Sequence, residues 1–227
     1  MSTTFASAVN PLAGLHVVTS DPREIEAARR AAETSLRAFP YYRERFGERA
    51  ALFGASDGAW LVTLCQGEPA YVRRQVLWLG EVLSARGVPR WLLERHLEFL
   101  HRELLRLTSD ADRCPPLLDA ALLLRAERRE RIAEGDFTAL AAEFEARADA
   151  AWMRRLSGMG AILVGAVADE AAGIGRAAES VAGWAADPSI FPERWIAAVR
   201  HTLADARALV RPPRGESGDP GCGIEGA

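Results

Sequence analysis

The stretch PAYVRRQVLWLGEVLSARGVPRWLLERHLEFLHRELLRL, residues 69–107, decides the fold class of this chain. Apolar residues recur in it at intervals of three and four, the spacing that places side chains on one face of an α-helix. Gly87-Val88-Pro89 interrupts the pattern and is long enough only for a tight turn. The sequence therefore predicts a hairpin of two helices, at 69–86 and 89–107.

Helical spacing continues on both sides of the hairpin, and prolines and capping residues mark the ends of the helices. Asp21-Pro22-Arg23-Glu24 is a strong helix start, because a carboxylate cap precedes a proline at the first helical position. The sustained alternation of β-branched residues that indicates strands is missing. The pattern predicts an all-α bundle of about seven to nine helices. We expect a turn at Gly54 and one break, near Gly158 or Gly173, between Trp152 and Trp184.

Composition divides the chain into four segments. Residues 1–20 are small and polar, and we expect them to form a flexible arm ahead of a helical half, residues 21–108, that contains the hairpin. A segment rich in Ser, Asp and Pro then precedes a second helical half, residues 109–210, which is rich in Ala and Gly. Residues 211–227 have few apolar side chains and are predicted to be disordered. The sequence leaves open whether the two halves are separate domains.

Charge and cysteine content exclude several classes of function. The net charge of −3 provides no positive field for binding nucleic acid or an anionic membrane. The three cysteines, Cys65, Cys114 and Cys222, are widely spaced, so we expect no disulfide framework and a cytoplasmic location. No signal peptide is apparent at the N-terminus. The longest apolar stretch, 156–168, is too short to span a membrane.

Two polar residues fall within the predicted apolar faces of the hairpin helices. Gln75 lies near the middle of the first face, and His96 lies within the second. Because buried polar groups need partners, the two side chains either bond each other or a backbone carbonyl, or they line a ligand cavity. In the second case Tyr71, Trp78 and Phe99 form the apolar walls, and His96 coordinating a haem or other tetrapyrrole is a special case.

The opposite faces of the same helices carry a weaker signal. Helical projection places Gly80 and Ser84 away from the apolar face of the first helix, and Glu94, Glu98 and His101 on the polar side of the second. The Glu-x-x-His spacing of the last two is found in di-iron bundles, which makes a helical metalloenzyme one hypothesis. A di-iron site needs a second such element and further glutamates, so a solvated ion-pair face is the favoured interpretation.

Two further features concern surfaces. Trp91 falls near the polar side of its helix beside Arg95 and Arg102, as at many protein interfaces, unless another helix of the chain covers it. The run from Arg125 to Arg131 mixes positive and negative charges at helical spacing, which is typical of a solvated face. No nucleophile elbow and no phosphate-binding loop is present, so the sequence favours a non-enzymatic role.

One segment resembles a known class of proteins. Leu64-Cys65-Gln66-Gly67-Glu68-Pro69 with the following Tyr71-Val72 and Trp78, and then Ala85-Arg86-Gly87-Val88-Pro89, resembles the helical input module of bacterial sensory proteins. It is also similar to the helical subdomain that precedes the cobalamin-binding domain of corrinoid regulators. The match covers about residues 57–107, and the cobalamin signature itself is absent. The resemblance implies a helical sensing or docking module and not catalysis.

Three functional hypotheses follow from these observations. The first is a sensory or regulatory module that binds a small apolar ligand or pigment through Gln75 and His96. The second is a cofactor-free adaptor protein that binds other proteins, with a homodimer as one form of assembly. The third is the helical metalloenzyme.

Overall fold

The computed structural model describes residues 4–108 and 115–212, and it confirms the all-α class. Eleven α-helices lie within these ranges: α1 (Pro22–Ala38), α2 (Tyr41–Phe46), α3 (Arg49–Leu64), α4 (Pro69–Ala85), α5 (Arg90–Thr108), α6 (Pro115–Arg131), α7 (Glu134–Arg147), α8 (Ala150–Arg155), α9 (Met159–Ala171), α10 (Ala177–Ala185) and α11 (Glu193–Ala208). The two hairpin helices, α4 and α5, end within two residues of the bounds that the sequence predicts. None of the described helices is long and apolar enough to cross a membrane.

Residues 4–21, which precede α1, pack against the bundle, whereas the composition of residues 1–20 predicts a flexible arm. Two short strands, β1 (Thr4–Phe5) and β2 (Val17–Val18), pair in antiparallel fashion beside α3. The side chains of Ala6 and Val18 are buried. Apolar anchors of this size stabilise a segment only when a partner surface exists, which is why composition alone did not reveal them.

Helix α3 runs straight through the turn that the sequence predicts at Gly54. A Cβ atom at Gly54 would lie 3.1 Å from the Cβ of Ala32, and one at Gly58 would lie 3.1 Å from the Cβ of Ala28. The two glycines are one helical turn apart, as are the two alanines, so they let α1 and α3 approach closely. The glycine at 54 therefore serves helix packing and does not end a helix.

Two glycines with positive φ break the Ala/Gly-rich segment, where the sequence predicts one break. Gly158, at φ 78°, precedes α9, and Gly173, at φ 94°, follows it. Both backbone conformations are disfavoured for residues with a Cβ atom. The second break adds one helix to the number that the sequence predicts in this segment.

The apolar core consists of two clusters, and α5 contributes to both of them. One cluster unites α1, α3, α4, α5 and α6, and the other unites α7 to α11 with Tyr41, Val88 and Leu92. Helix α5 packs mainly on α1 and α6, and only lightly on α4. The division of the chain at 108/109 stays a prediction, since residues 109–114 lie outside the described ranges. The disorder predicted at 211–227 also stays a prediction, because only residues 211 and 212 of that segment are described.

Candidate functional site

A small cavity lies between α1, α2, α3 and the hairpin, with a volume of about 70 Å³. Its walls are mainly aliphatic and aromatic, and its polar lining residues are Ser35, Tyr42, Asp57 and His96. The apolar lining residues are Ala32, Leu36, Phe39, Ala50, Gly54, Leu61, Leu79, Leu83, Val88, Leu92 and Leu93. An apolar wall with a few polar groups is the usual composition of a small-molecule site.

His96 lines this cavity and has a buried ring nitrogen without a partner among the described residues. Its Nδ1 atom lies 2.9 Å from the Ser35 hydroxyl on α1, whereas Nε2 is buried and forms no hydrogen bond with any described residue. Burial lowers the pKa of His96 to about 4, so the imidazole is neutral at pH 7. An unpartnered buried nitrogen of this kind costs on the order of 1–3 kcal/mol, which makes it a feature that needs an explanation.

The hydrogen bonds of Ser35 fix which nitrogen of His96 carries the proton. The Ser35 hydroxyl lies 2.9 Å from the carbonyl oxygen of Ala31, and a carbonyl can only accept. The single hydroxyl proton is therefore donated to Ala31, and the Ser35 oxygen accepts the proton of Nδ1. This arrangement leaves the lone pair on Nε2, so the unpartnered nitrogen of His96 is a hydrogen-bond acceptor.

Asp57 adds a second acceptor from α3. Burial raises the pKa of Asp57 to about 6, and burial together with the nearby Asp57 charge raises the pKa of Tyr42 to about 12. Asp57 has no cationic partner and no hydrogen bond within residues 4–108 and 115–212. At neutral pH the cavity wall therefore holds an uncompensated carboxylate, a phenol and the neutral ring of His96.

The predicted ligand-binding residues divide into one that lines the cavity and four that do not. His96 lines it, and Gln75 does not, because α4 presents Leu79 and Leu83 to this space. Tyr71 and Trp78 are 43% and 54% exposed, so neither is an apolar wall of the cavity. Phe99 is buried one turn beyond His96, where it stacks on Phe39; only Phe39 reaches the cavity.

The prediction for the polar face of α4 is wrong, because part of that face is buried. This difference explains why Gln75 does not line the cavity. Gly80 and Ser84, expected on the opposite face, are buried. A Cβ at Gly80 would lie 3.1 Å from the Arg90 side chain, and Ser84 donates a hydrogen bond to Asp169. The helix is rotated toward these small residues because a buried ion pair lies against them.

Trp91, predicted as an interface residue, lies inside the chain. Its ring contacts Phe39 edge-on at a centroid distance of 4.8 Å and lies 6.1 Å from that of Phe137. Its Cβ faces Gly165 of α9, which leaves room for it because it has no side chain. Another part of the chain therefore covers Trp91, as the alternative interpretation held.

The glutamates proposed for a metal site are bound by arginines instead. Glu94 is buried, contrary to the expected polar face, and accepts hydrogen bonds from Arg125 and Arg128 of α6. Arg125 also pairs with Glu98, and Arg128 is itself buried, so the charged run of α6 is not a purely solvated face. Among the described residues no group of three or more His, Cys, Asp or Glu side chains is placed to hold a metal ion.

Sequence reasoning missed Ser35, Tyr42 and Asp57. Ser35 belongs to a helix whose buried side chains are mostly alanines, and Tyr42 lies in the short helix that follows it. A turn at Gly54 would make Asp57 a capping residue of the helix that follows, a position at which a carboxylate is ordinary. A helical projection of α3 without a turn at Gly54 places Asp57 one turn from Gly54 and Leu61, which would have placed it beside the core.

Comparison of the chain with protein-family models, with curated proteins and with solved structures finds no match.

Proposed function

We propose that this chain is a sensory or regulatory module that binds a small molecule in the cavity between α1, α3 and the hairpin. The observation that carries the proposal is an apolar cavity whose wall holds an Asp57 carboxylate without a partner among the described residues, beside a neutral His96 whose buried Nε2 is also unpartnered. A core that serves stability alone leaves few such atoms unpartnered, because each one costs free energy. A ligand that supplies a donor removes this cost on binding.

The size of the cavity restricts the ligand. A cavity of about 150 Å³ in another protein accommodates benzene, whereas this one has a volume of about 70 Å³. A haem or other tetrapyrrole needs a pocket larger by roughly an order of magnitude. The cavity is therefore too small for a pigment, and we propose only a small molecule as its ligand.

The composition of the site favours binding over catalysis. Ser, His and Asp are all present, but the Ser35 proton is donated to Ala31 and His96 Nδ1 is a donor, so the ring does not activate the hydroxyl. A histidine with a pKa of about 4 is also a weak general base near pH 7. A regulatory role agrees with the resemblance of residues 57–107 to helical input modules.

Xenon binding followed by ¹²⁹Xe NMR tests the proposal, because an apolar cavity takes up xenon without any specific ligand. Ala50 lines the cavity, and Ala51 is its neighbour on α3 that does not. We expect Ala50→Val to remove xenon uptake and Ala51→Val to retain it, with similar helix propensity costs in both variants. Wild-type protein that shows no saturable xenon shift would contradict a ligand cavity.

An exposed aromatic surface favours the adaptor protein as a second candidate function. The rings of Trp60 and Trp78 lie 6.3 Å apart, and the ring of His16 lies 6.3 Å from that of Trp60. Leu15, which precedes His16, is 78% exposed. If this surface binds a protein, crosslinking in extracts of the host will give a product that Trp78→Ala abolishes. Equal crosslinking of the variant and the wild type would argue against this role.

A further inference from the structure

We infer that the ligand of the cavity is a small alkylammonium ion, a conclusion that rests on the proposed function and names its ligand class. The cavity wall carries the Asp57 carboxylate, which only accepts hydrogen bonds and has no cation beside it among the described residues. A second polar group of the wall, the Tyr42 hydroxyl, can also accept. The matching ligand is therefore rich in donors.

The number of protons separates an amine from an alcohol. An alcohol carries one hydroxyl proton and satisfies only one of the two acceptors, whereas an ammonium group carries three N–H donors. A carboxylic acid that ionises brings a second negative charge beside Asp57, which is unfavourable in an apolar surrounding. The ammonium ion alone among these groups satisfies both acceptors at once.

Charge supports the same class of ligand. Asp57 has no cation beside it in the part of the chain that the structure describes, although the other buried carboxylates of α5 and α9 pair with arginines. A buried carboxylate is stable when a cation accompanies it. The positive charge of an alkylammonium ion supplies the partner that the chain itself does not.

The volume sets the length of the alkyl group. By proportion with the six carbon atoms of benzene in about 150 Å³, a cavity of about 70 Å³ takes roughly three non-hydrogen atoms. Ethylammonium has this size, and the leucines around the cavity contact its methyl end. The best affinities per atom known for very small ligands limit its Kd to the order of 1 mM or weaker.

The titratable groups of the cavity give the proposal a pH signature. They are Tyr42 from α2, Asp57 from α3 and His96 from α5, while α1 and α4 line the cavity without any. Between pH 5 and pH 8 only Asp57 changes charge, because its pKa is about 6 and those of the other two are about 12 and about 4. Ethylammonium should therefore bind about tenfold more weakly at pH 5 than at pH 8.

Saturation-transfer NMR with the full chain and three probes tests the inference. Ethylammonium chloride is compared with ethanol and with sodium acetate, in an amine-free buffer. We expect saturable binding of ethylammonium alone, and we expect Asp57→Asn to remove it at both pH values. Asp119→Asn, which changes an exposed carboxylate on α6, is the matched control and should bind as the wild type does.

The outcomes separate this inference from the proposed function. If ethanol binds as tightly as ethylammonium, or if Asp57→Asn retains ethylammonium binding, the ligand class is wrong and the cavity remains a ligand site. If no probe binds and xenon is also excluded, both proposals fail and water fills the space. A tenfold loss of affinity at pH 5 in the wild type and in Asp119→Asn, together with no ethylammonium binding and unchanged xenon uptake in Asp57→Asn, would establish the ammonium ligand.

Discussion

Helix α5 carries two buried polar sites less than two turns apart, and only one of them is internally complete. At Arg90 the guanidinium donates from Nε to Asp169 at 2.8 Å and from a terminal nitrogen to Glu127 at 2.6 Å. The second oxygen of Asp169 accepts from Ser84 and from the Arg90 backbone, both at 2.7 Å. At His96, in contrast, Nε2 has no partner among the described residues, and Asp57 has no cation.

The two sites differ in whether the fold itself supplies a partner for each buried polar group. Burial raises the pKa of Asp169, and the charge of Arg90 together with hydrogen bonds from Arg90 and Ser84 opposes that rise. Burial likewise raises the pKa of Asp57, but no cation of the described chain opposes it. Each buried group of the first site is matched inside the fold, whereas the second site has acceptors left over for a molecule from outside.

Removal of the Asp169 charge should give the largest loss of stability. Asp169→Asn leaves the buried Arg90 without its main counter-charge, which we expect to cost about 3–5 kcal/mol in urea unfolding. Glu170→Gln is the matched control on the same helix, because its pair with Arg207 is solvent-exposed and is worth about 1 kcal/mol or less. Equal losses in the two variants would show that the Arg90 site is no stronger than a surface ion pair.

Removal of the Asp57 charge should increase the stability of the folded protein, whereas removal of the Asp169 charge should decrease it. Its folded-state pKa of about 6 exceeds the usual 3.8, so the folded protein binds the proton more tightly and loses stability as the pH rises from about 4 to about 6. Asp57→Asn should therefore stabilise the ligand-free protein by about 1–3 kcal/mol at pH 7.5. The gain should vanish near pH 4, as urea unfolding at both pH values will show. A destabilised variant at pH 7.5 would mean that the carboxylate has a partner after all.

Replacement of His96 should change the free energy of unfolding by less than replacement of Asp57, and with the reverse dependence on pH. Its folded-state pKa of about 4 lies below the usual 6.5, so the wild type loses stability as the pH falls through this interval. His96→Leu should be neutral to within about 1 kcal/mol at pH 7.5, because it removes an unpartnered nitrogen along with one hydrogen bond to Ser35. Relative to the wild type it should become more stable between pH 6.5 and pH 4. A constant difference over that interval would contradict a neutral buried imidazole.

The smallest change in stability is expected from replacement of Trp78, because this residue lies on the surface and not at the cavity. More than half of this side chain is exposed, and it lies on α4 away from the cavity. Trp78→Ala should cost about 1 kcal/mol or less and leave xenon uptake unchanged. Loss of xenon uptake in this variant would restore Trp78 as a wall of the site.

Some features of the structure could be predicted from local patterns in the sequence, and others could not. Spacing around Gly87-Val88-Pro89 predicted the hairpin within two residues, because a tight turn and periodic leucines are local features. His96 was singled out because it interrupts an apolar face, and it does line the cavity. Trp91 and Glu94 were misplaced, because their burial depends on Phe137 and Arg128, more than thirty residues away.

The sequence by itself determined the helical class, the ends of the hairpin helices and the presence of an imidazole on an apolar face, since these depend on residues within a few turns of one another. Only the tertiary structure decided what surrounds that imidazole. Helix α5 packs on α1 and α6 more than on α4, so Ser35 and Asp57 lie at the cavity and Gln75 does not. The physical reason is close packing: the glycines at 54, 58 and 80 set how near the helices approach, and that distance fixes which side chains share a cavity.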